Sequence, residues 1–274
     1  MKRLFRIILD NICYSVGEQK HNVFDEPLSK DTKVMSYNIR CDSDKDGEHN
    51  WEYRKRCVAD VIRQERAGIV CLQELAPHTL KYLLHELGDY DCYSVDARNG
   101  KPLHKRWFDG YGLAILYDRT RYIVEKEKCI WLSDRVNKPS RTWGNEEYRV
   151  AIRLTLVEKK SGKVINVFNT HFDHTSTEII EKSAKLLRRF VSVCTGDVFV
   201  AGDFNTDVRS LAALDEVLFN NLEDDTPTFT GYHFAGKKVL DTIYTRIPYK
   251  RKVIVRKFGG HNASDHRPVI IENG

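Results

Sequence analysis

Four apolar runs in this 274-residue chain end in side chains that can hold a metal ion or move a proton. KVMSY ends in Asn38, GIVCLQ in Glu74, KVINVF in the stretch Asn169 to His174, and VFVAG in Asp203-Phe204-Asn205. Asp241 interrupts the otherwise apolar KVLDTIY, and Ser264-Asp265-His266 precedes RPVII. Together these groups suit metal-assisted hydrolysis of a phosphoester. A hard divalent cation such as Mg²⁺ prefers carboxylate and amide oxygens, so one Glu with neighbouring Asn and Asp is a cradle for it. Phosphoryl transfer also needs an activated water, neutralised phosphate oxygens and help for the leaving group. The imidazoles of His171 and His266 and the carboxylate of Asp203 can divide those tasks. An acidic neighbour fixes a histidine's tautomer and favours its charged form, which is a role open to Asp241. Cysteine pairs or paired histidines that would argue for zinc are missing.

Each element also has a plain structural reading. Asn38 can satisfy a turn, Glu74 can be a solvated strand end or helix cap, and GDFN can be an ordinary turn. His171 can be a hydrogen-bonded core histidine and Asp241 half of a salt bridge. The repetition at four strand ends favours a shared site, because ligands of open α/β sheets bind at the carboxyl ends of strands.

Alternating short apolar runs and helical patterns must position these residues. Strands are predicted at Lys33–Ile39, Gly68–Gln73, Asp91–Val95, Gly112–Tyr117, Ile123–Leu132, Arg149–Glu158, Val164–Thr170, Val198–Ala201, Val239–Arg246, Lys252–Lys257 and Arg267–Glu272. Helices are predicted at Trp51–Arg66, with Tyr53, Cys57, Val58, Val61 and Ile62 on one side, and at Pro77–Leu87, Thr177–Val193 and Ser210–Leu218. That is one mixed α/β domain over residues 33–274 with more strands than an open sheet usually holds, so two packed sheets flanked by helices would bury them.

Composition sets the outer bounds. A mean hydropathy of −0.49 with no apolar run of roughly 20 residues excludes a membrane-spanning helix. The 44 Lys+Arg against 39 Asp+Glu, a net charge of +5, fall short of a dedicated DNA-binding domain's field. Seven scattered cysteines, never arranged as CxxC, read as free thiols in a reducing, intracellular and cytoplasmic setting. Residues 1–32 stand apart: Met1, Leu4, Phe5, Ile8, Leu9 and Ile12 make one apolar helical face, followed by a polar linker. That face can pack on the domain or touch a membrane surface peripherally; Arg6 and Asp10 argue against a secretory signal.

The ordered series Ser36-Tyr37-Asn38-Ile39-Arg40, Leu72-Gln73-Glu74, Asn169-Thr170-His171, Gly202-Asp203-Phe204-Asn205, Leu240-Asp241 and Ser264-Asp265-His266 resembles the endonuclease/exonuclease/phosphatase superfamily. The resemblance runs from about Lys33 to the C-terminus. It implies a four-layer α/β/β/α sandwich with two mixed sheets face to face, and Mg²⁺-dependent phosphoester cleavage with Mn²⁺ as a possible substitute. It also implies that Glu74 is the principal metal ligand, with Asn38 and Asp265 near the metal. Asp203 would then orient or deprotonate the attacking water, and Asn205 would hold the phosphate. His266 would work at the scissile phosphate, as base or as stabiliser, paired with Asp241, and His171 would meet a phosphate oxygen or the leaving group.

Within the superfamily the chain is most similar to compact stand-alone hydrolases, through Asn38 to Asp42, Asp46-Gly47, Trp51 to Arg54, Trp131-Leu132-Ser133 and FNTHFDH. That likeness implies substrate contacts for Arg149 and Asp173. Arg149 can bind phosphate or make a structural salt bridge, and Asp173 with His174 can act in catalysis or order a loop. The loop Asp96 to Gly110 interleaves basic and aromatic residues, which suits a single nucleic-acid strand, a phosphorylated headgroup or a solvated loop. The expected activity is a phosphodiesterase on DNA or RNA, in a monomer. The alternative is a phosphatase or phosphodiesterase on a phosphoinositide, a sphingolipid headgroup or a small monoester.

Overall fold

The computed structural model describes residues 32–103, 112–222, 225–232, 238–255 and 262–272. The expectations for Met1 to Ile12, for Cys13 and for His104 to Gly110 fall outside those residues. Among the described residues, eleven strands form two sheets. The first has six strands in the order β10 (Lys250–Val253), β11 (Val269–Glu272), β1 (Val34–Asn38), β2 (Ile69–Leu75), β4 (Gly112–Asp118) and β3 (Tyr90–Asp96). The second has five in chain order: β5 (Tyr122–Trp131), β6 (Val150–Glu158), β7 (Val164–His171), β8 (Asp197–Asp203) and β9 (Asp241–Thr245). Each sheet is antiparallel except for one central parallel pair, β1 with β2 and β7 with β8.

Strand alternation builds the layers. Val34, Ile69, Cys71 and Ile115 of the first sheet meet Ile152, Leu154, Val167, Phe199 and Ile243 of the second in a shared core. The opposite faces carry Met35, Tyr37, Val70 and Leu116 against helices α1 (Trp51–Glu65) and α2 (Pro77–Glu86). Likewise Phe168, Val198, Val200 and Tyr244 pack on α3 (Thr177–Ser192) and the short α4 (Ala212–Asp215). The order is helix, sheet, sheet, helix, as the resemblance implied.

Two local expectations need correction. On α1 the buried face is Trp51, Arg54, Val58, Val61 and Ile62. Tyr53, assigned to the apolar side, is 72% exposed, and Arg54 takes the inward place instead because its guanidinium has buried carbonyls to meet. The Ser210–Leu218 helix is shorter, a 3₁₀ turn at Val208–Ser210 followed by α4.

Candidate active site

The alternation that fills the inter-sheet core also aims the polar strand ends. On β1 the inward series Val34, Ser36 ends at Asn38, and on β7 the series Ile165, Val167, Asn169 ends at His171. On β8, Phe199 and Ala201 lead to Asp203, while β9 runs the other way and brings Asp241 to the same rim. Pairing places His171 opposite Asp203 and Asp203 opposite Asp241. Gly202 permits this approach, since a Cβ there would lie 2.3 Å from the Thr170 carbonyl oxygen.

Glu74 reaches the rim by a different device. Ile69, Cys71 and Gln73 take the inward parity of β2, so simple alternation would send Glu74 toward the helices. The register with β4 shifts between Leu72 and Leu75, and Glu74 has φ +62, in the left-handed region. This bulge re-aims one side chain onto the site, at a backbone cost of order 1–3 kcal/mol that surrounding contacts must offset. Those contacts lie beneath it. Asn169, fully buried on the other sheet, donates to the carbonyls of Leu72 (2.9 Å) and Ala114 (2.8 Å) and accepts from Gln73 Nε2 (2.7 Å). The Glu74 carboxylate accepts from Asn38 Nδ2 at 2.9 Å and from the Cys41 N–H at 2.8 Å. Burial opposes its ionisation, but the Asn38 amide, the Cys41 N–H and the charged His266 outweigh that and hold its pKa below the ordinary carboxylate range.

Asp203 is the hub. Its Oδ2 accepts from Asn38 Nδ2 at 3.0 Å and lies 3.5 Å from His171 Nε2 and 3.6 Å from His266 Nε2. Its Oδ1 accepts from the Asn205 N–H at 2.9 Å. Burial raises its pKa to about 7, with Asp241 adding to the effect and His266 opposing it. The other ring nitrogen of His266, Nδ1, is 2.8 Å from Asp241 Oδ2. Burial opposes the imidazolium, yet Asp241 and Asp203 raise the His266 pKa well above its ordinary value. His171 moves the other way: burial, then the Arg149 charge, hold it well below, so the site pairs a cationic with a neutral imidazole. Asn205, with φ +51, donates its side-chain amide to the Phe172 carbonyl at 3.0 Å.

The donors fit a hard cation. Glu74, Asp265 and Asp203 offer carboxylate oxygens, with Glu74 ionised in advance of any ion, and Asn38 turns its Nδ2 toward Glu74 and Asp203 while its Oδ1 accepts from the Arg40 N–H. Asp203, Asp241 and His266 also converge, with one ligand atom each within 4.8 Å of the others. Because Nδ1 of His266 is engaged by Asp241, that group holds an oriented imidazole as readily as a metal. Asp265 Oδ1 is 3.3 Å from Ser264 Oγ, which also donates to the Asn38 carbonyl at 2.8 Å.

Arg149 and Asp173 stand in a neighbouring cluster. Arg149 lines a small crevice together with Glu74, His171 and Tyr148, and its guanidinium is 3.1 Å from His174 Nδ1. Asp173 is buried, and its carboxylate accepts from the Thr175 N–H and hydroxyl and from Asn145 Nδ2. Sequence reasoning quoted Asn169, Gln73 and Arg54 within its motif stretches but gave them no role in this site. The first two are polar residues on the inward parity of buried strands, a signal that was available. Arg54 carried no such signal.

The pattern that defines the Endonuclease/Exonuclease/phosphatase family matches residues 35–266. The chain belongs to this family. Endonuclease/exonuclease/phosphatase family members are phosphoester hydrolases, generally dependent on a metal ion. The chain is 28% identical over 258 residues to uncharacterized protein L388 of Acanthamoeba polyphaga mimivirus, covering 81% of this chain and 92% of that one. It is 26% identical over 130 residues to the CCR4-Not complex 3'-5'-exoribonuclease subunit Ccr4 of Phaeosphaeria nodorum, a match to 42% of this chain that spans only 21% of that protein. The solved structure of a Bacteroides thetaiotaomicron mannosyl-6-phosphatase superposes with a TM-score of 0.77 at 24% identity, over 88% of this chain and 98% of that one. No helix among the described residues is long and apolar enough to cross a membrane.

Proposed function

We propose that residues 33–274 form an Mg²⁺-dependent phosphodiesterase that cleaves a nucleic-acid strand. The observation that carries the reading is Asp203, one buried carboxylate within 3.0 to 3.6 Å of Asn38, His171 and His266. In this reading Glu74, with Asn38 and Asp265, holds Mg²⁺, and Mn²⁺ can replace it. Held there, the cation would supply charge neutralisation at the phosphate oxygens. Asp203, with its pKa near 7, orients the attacking water and takes its proton. His266, kept charged and aimed by Asp241, stabilises the phosphoryl oxygens in the transition state. His171 meets a phosphate oxygen or the leaving group, and Asn205 holds the phosphate. Arg149 with His174 grips the substrate beyond the scissile bond, and Asp173 orders the loop that presents His174.

Nucleic acid is favoured by the likeness to an exoribonuclease subunit. A second reading, a phosphatase on a small phosphorylated sugar, is favoured by the fold shared with the mannosyl-6-phosphatase over nearly its whole length. Among the described residues every cysteine is a free thiol, which supports a reducing compartment. The test is a panel of single- and double-stranded DNA, RNA, phosphoinositides and simple monoesters with Mg²⁺, beside Asp203→Ala. Strand cleavage that falls steeply with salt and vanishes in the variant supports the first reading. Cleavage of monoesters alone, with a shallow salt dependence, supports the second. Unchanged turnover in Asp203→Ala refutes the mechanism.

A further inference from the structure

Arg54 on α1 is 3% exposed and donates to main-chain carbonyls from two distant parts of the chain. On one side are Ile39 (2.7 Å), Arg40 (3.1 Å), Cys41 (3.5 Å) and His49; on the other is Ala263 (2.8 Å). The first segment carries the two N–H groups that fix the metal-facing side chains. Arg40 N–H donates to Asn38 Oδ1 at 3.0 Å and Cys41 N–H donates to Glu74 Oε2 at 2.8 Å. The second segment runs directly into Ser264, Asp265 and His266. Ala263, 209 residues from Arg54 in sequence, therefore shares its guanidinium with Ile39, Arg40 and Cys41.

We infer that Arg54 is a positioning residue for the cation cradle, holding the Asn38–Glu74 half and the Asp265–His266 half at a fixed separation. A guanidinium can do this because its five N–H donors lie in one rigid plane and can face several carbonyls at once. An ammonium at the same place keeps the charge but gathers its three donors on one atom, so it can serve one segment well and not both. Two rings help keep Arg54 in place: its guanidinium carbon lies 5.7 Å from the Trp51 ring and 5.9 Å from the Tyr232 ring.

The inference rests on the cradle proposed above, and the test separates the two. Mn²⁺ binding, read by electron paramagnetic resonance without any substrate, is compared in the unaltered chain, Arg54→Lys, Glu74→Gln and Val58→Ala. Val58 lies on the same buried helix face, and its truncation controls for a general loss of stability. Residues that orient metal ligands typically change affinity by about 10–100-fold, and that weakening is expected for Arg54→Lys while Val58→Ala stays within about twofold. Equal affinity in Arg54→Lys and Val58→Ala overturns the positioning role alone. No Mn²⁺ bound by the unaltered chain overturns the cradle and the positioning role together. Should Arg54→Lys fail to fold, amide exchange on the unaltered chain decides the matter. Added MgCl₂ is expected to slow exchange at Arg40–Cys41 and at Asp265–His266 together, and slowing at one segment alone overturns the inference.

Discussion

Replacing Asn169 with leucine tests the polar bridge that supports the Glu74 bulge. The side chains are similar in size, so the change removes hydrogen bonds and leaves little cavity. Two donated bonds, to Leu72 O and Ala114 O, disappear, and so does the one accepted from Gln73. Gln73 Nε2 keeps Ser36 Oγ at 3.3 Å and the Cys71 carbonyl at 3.2 Å, so it is not orphaned. Each carbonyl deprived of a buried donor costs about 1–3 kcal/mol, and the lost Gln73 bond adds about 1 kcal/mol. Burying a leucine returns about 2 kcal/mol, so the net loss is about 1–5 kcal/mol, a large part of the ~5–15 kcal/mol of a typical domain. Urea unfolding should show it as a lower midpoint with an unchanged slope. Asn169→Asp should cost more at neutral pH, because a carboxylate then faces two carbonyls. Burial among acceptors raises that carboxyl's pKa in the folded state, so its excess cost should shrink as pH falls and the protonated form can donate again. A stability within 0.5 kcal/mol of the parent for Asn169→Leu, a threshold set by the ~1 kcal/mol expected of a single bond, would refute the bridge.

Three further outcomes are expected. Glu74→Gln removes the charge that lies ready for a cation and leaves an oxygen donor, so activity should require about 10–100-fold more Mg²⁺, and an unchanged metal titration would count against Glu74 as the principal ligand. Gly202→Ala forces a Cβ to within 2.3 Å of the Thr170 carbonyl, which must part β7 from β8; calorimetry should find a loss of at least 1–3 kcal/mol, and a Tm within a degree of the parent would contradict the close approach. The His266–Asp241 pair holds the imidazolium, so in chelator its stabilisation is complete below the ordinary histidine pKa and fades as pH rises through the raised folded value. Asp241→Asn should flatten that alkaline loss and lower the His266 pKa read by NMR, and an unmoved titration would show that Asp241 is not the dominant partner.

Much of this protein is written in local pattern. Alternation with period two made the strands legible, and the same alternation that put Ile165 and Val167 inward also aimed His171, as Phe199 and Ala201 aimed Asp203. The order of the motif residues along the chain was sufficient for the family, because their types are set by the chemistry of a cation and a phosphate. Glu74 was picked out by type, but its direction depends on a bulge that exists only against β4, and no window around residue 74 contains Gly112 to Ala114. Arg54 was legible only as the end of the Trp51 to Arg54 stretch, with no role attached. Its burial depends on carbonyls at Ile39 and Ala263, beside β1 and β11, which come together only when those two distant strands pair. The sequence by itself determined the elements, the residue types and the family. Tertiary structure alone decided which nitrogen of His266 faces Asp241, how Asn169 supports the other sheet, and how one guanidinium joins two halves of the site. Those facts depend on distances between segments that are far apart in the chain, and pairing across such separations is set by packing of the whole core.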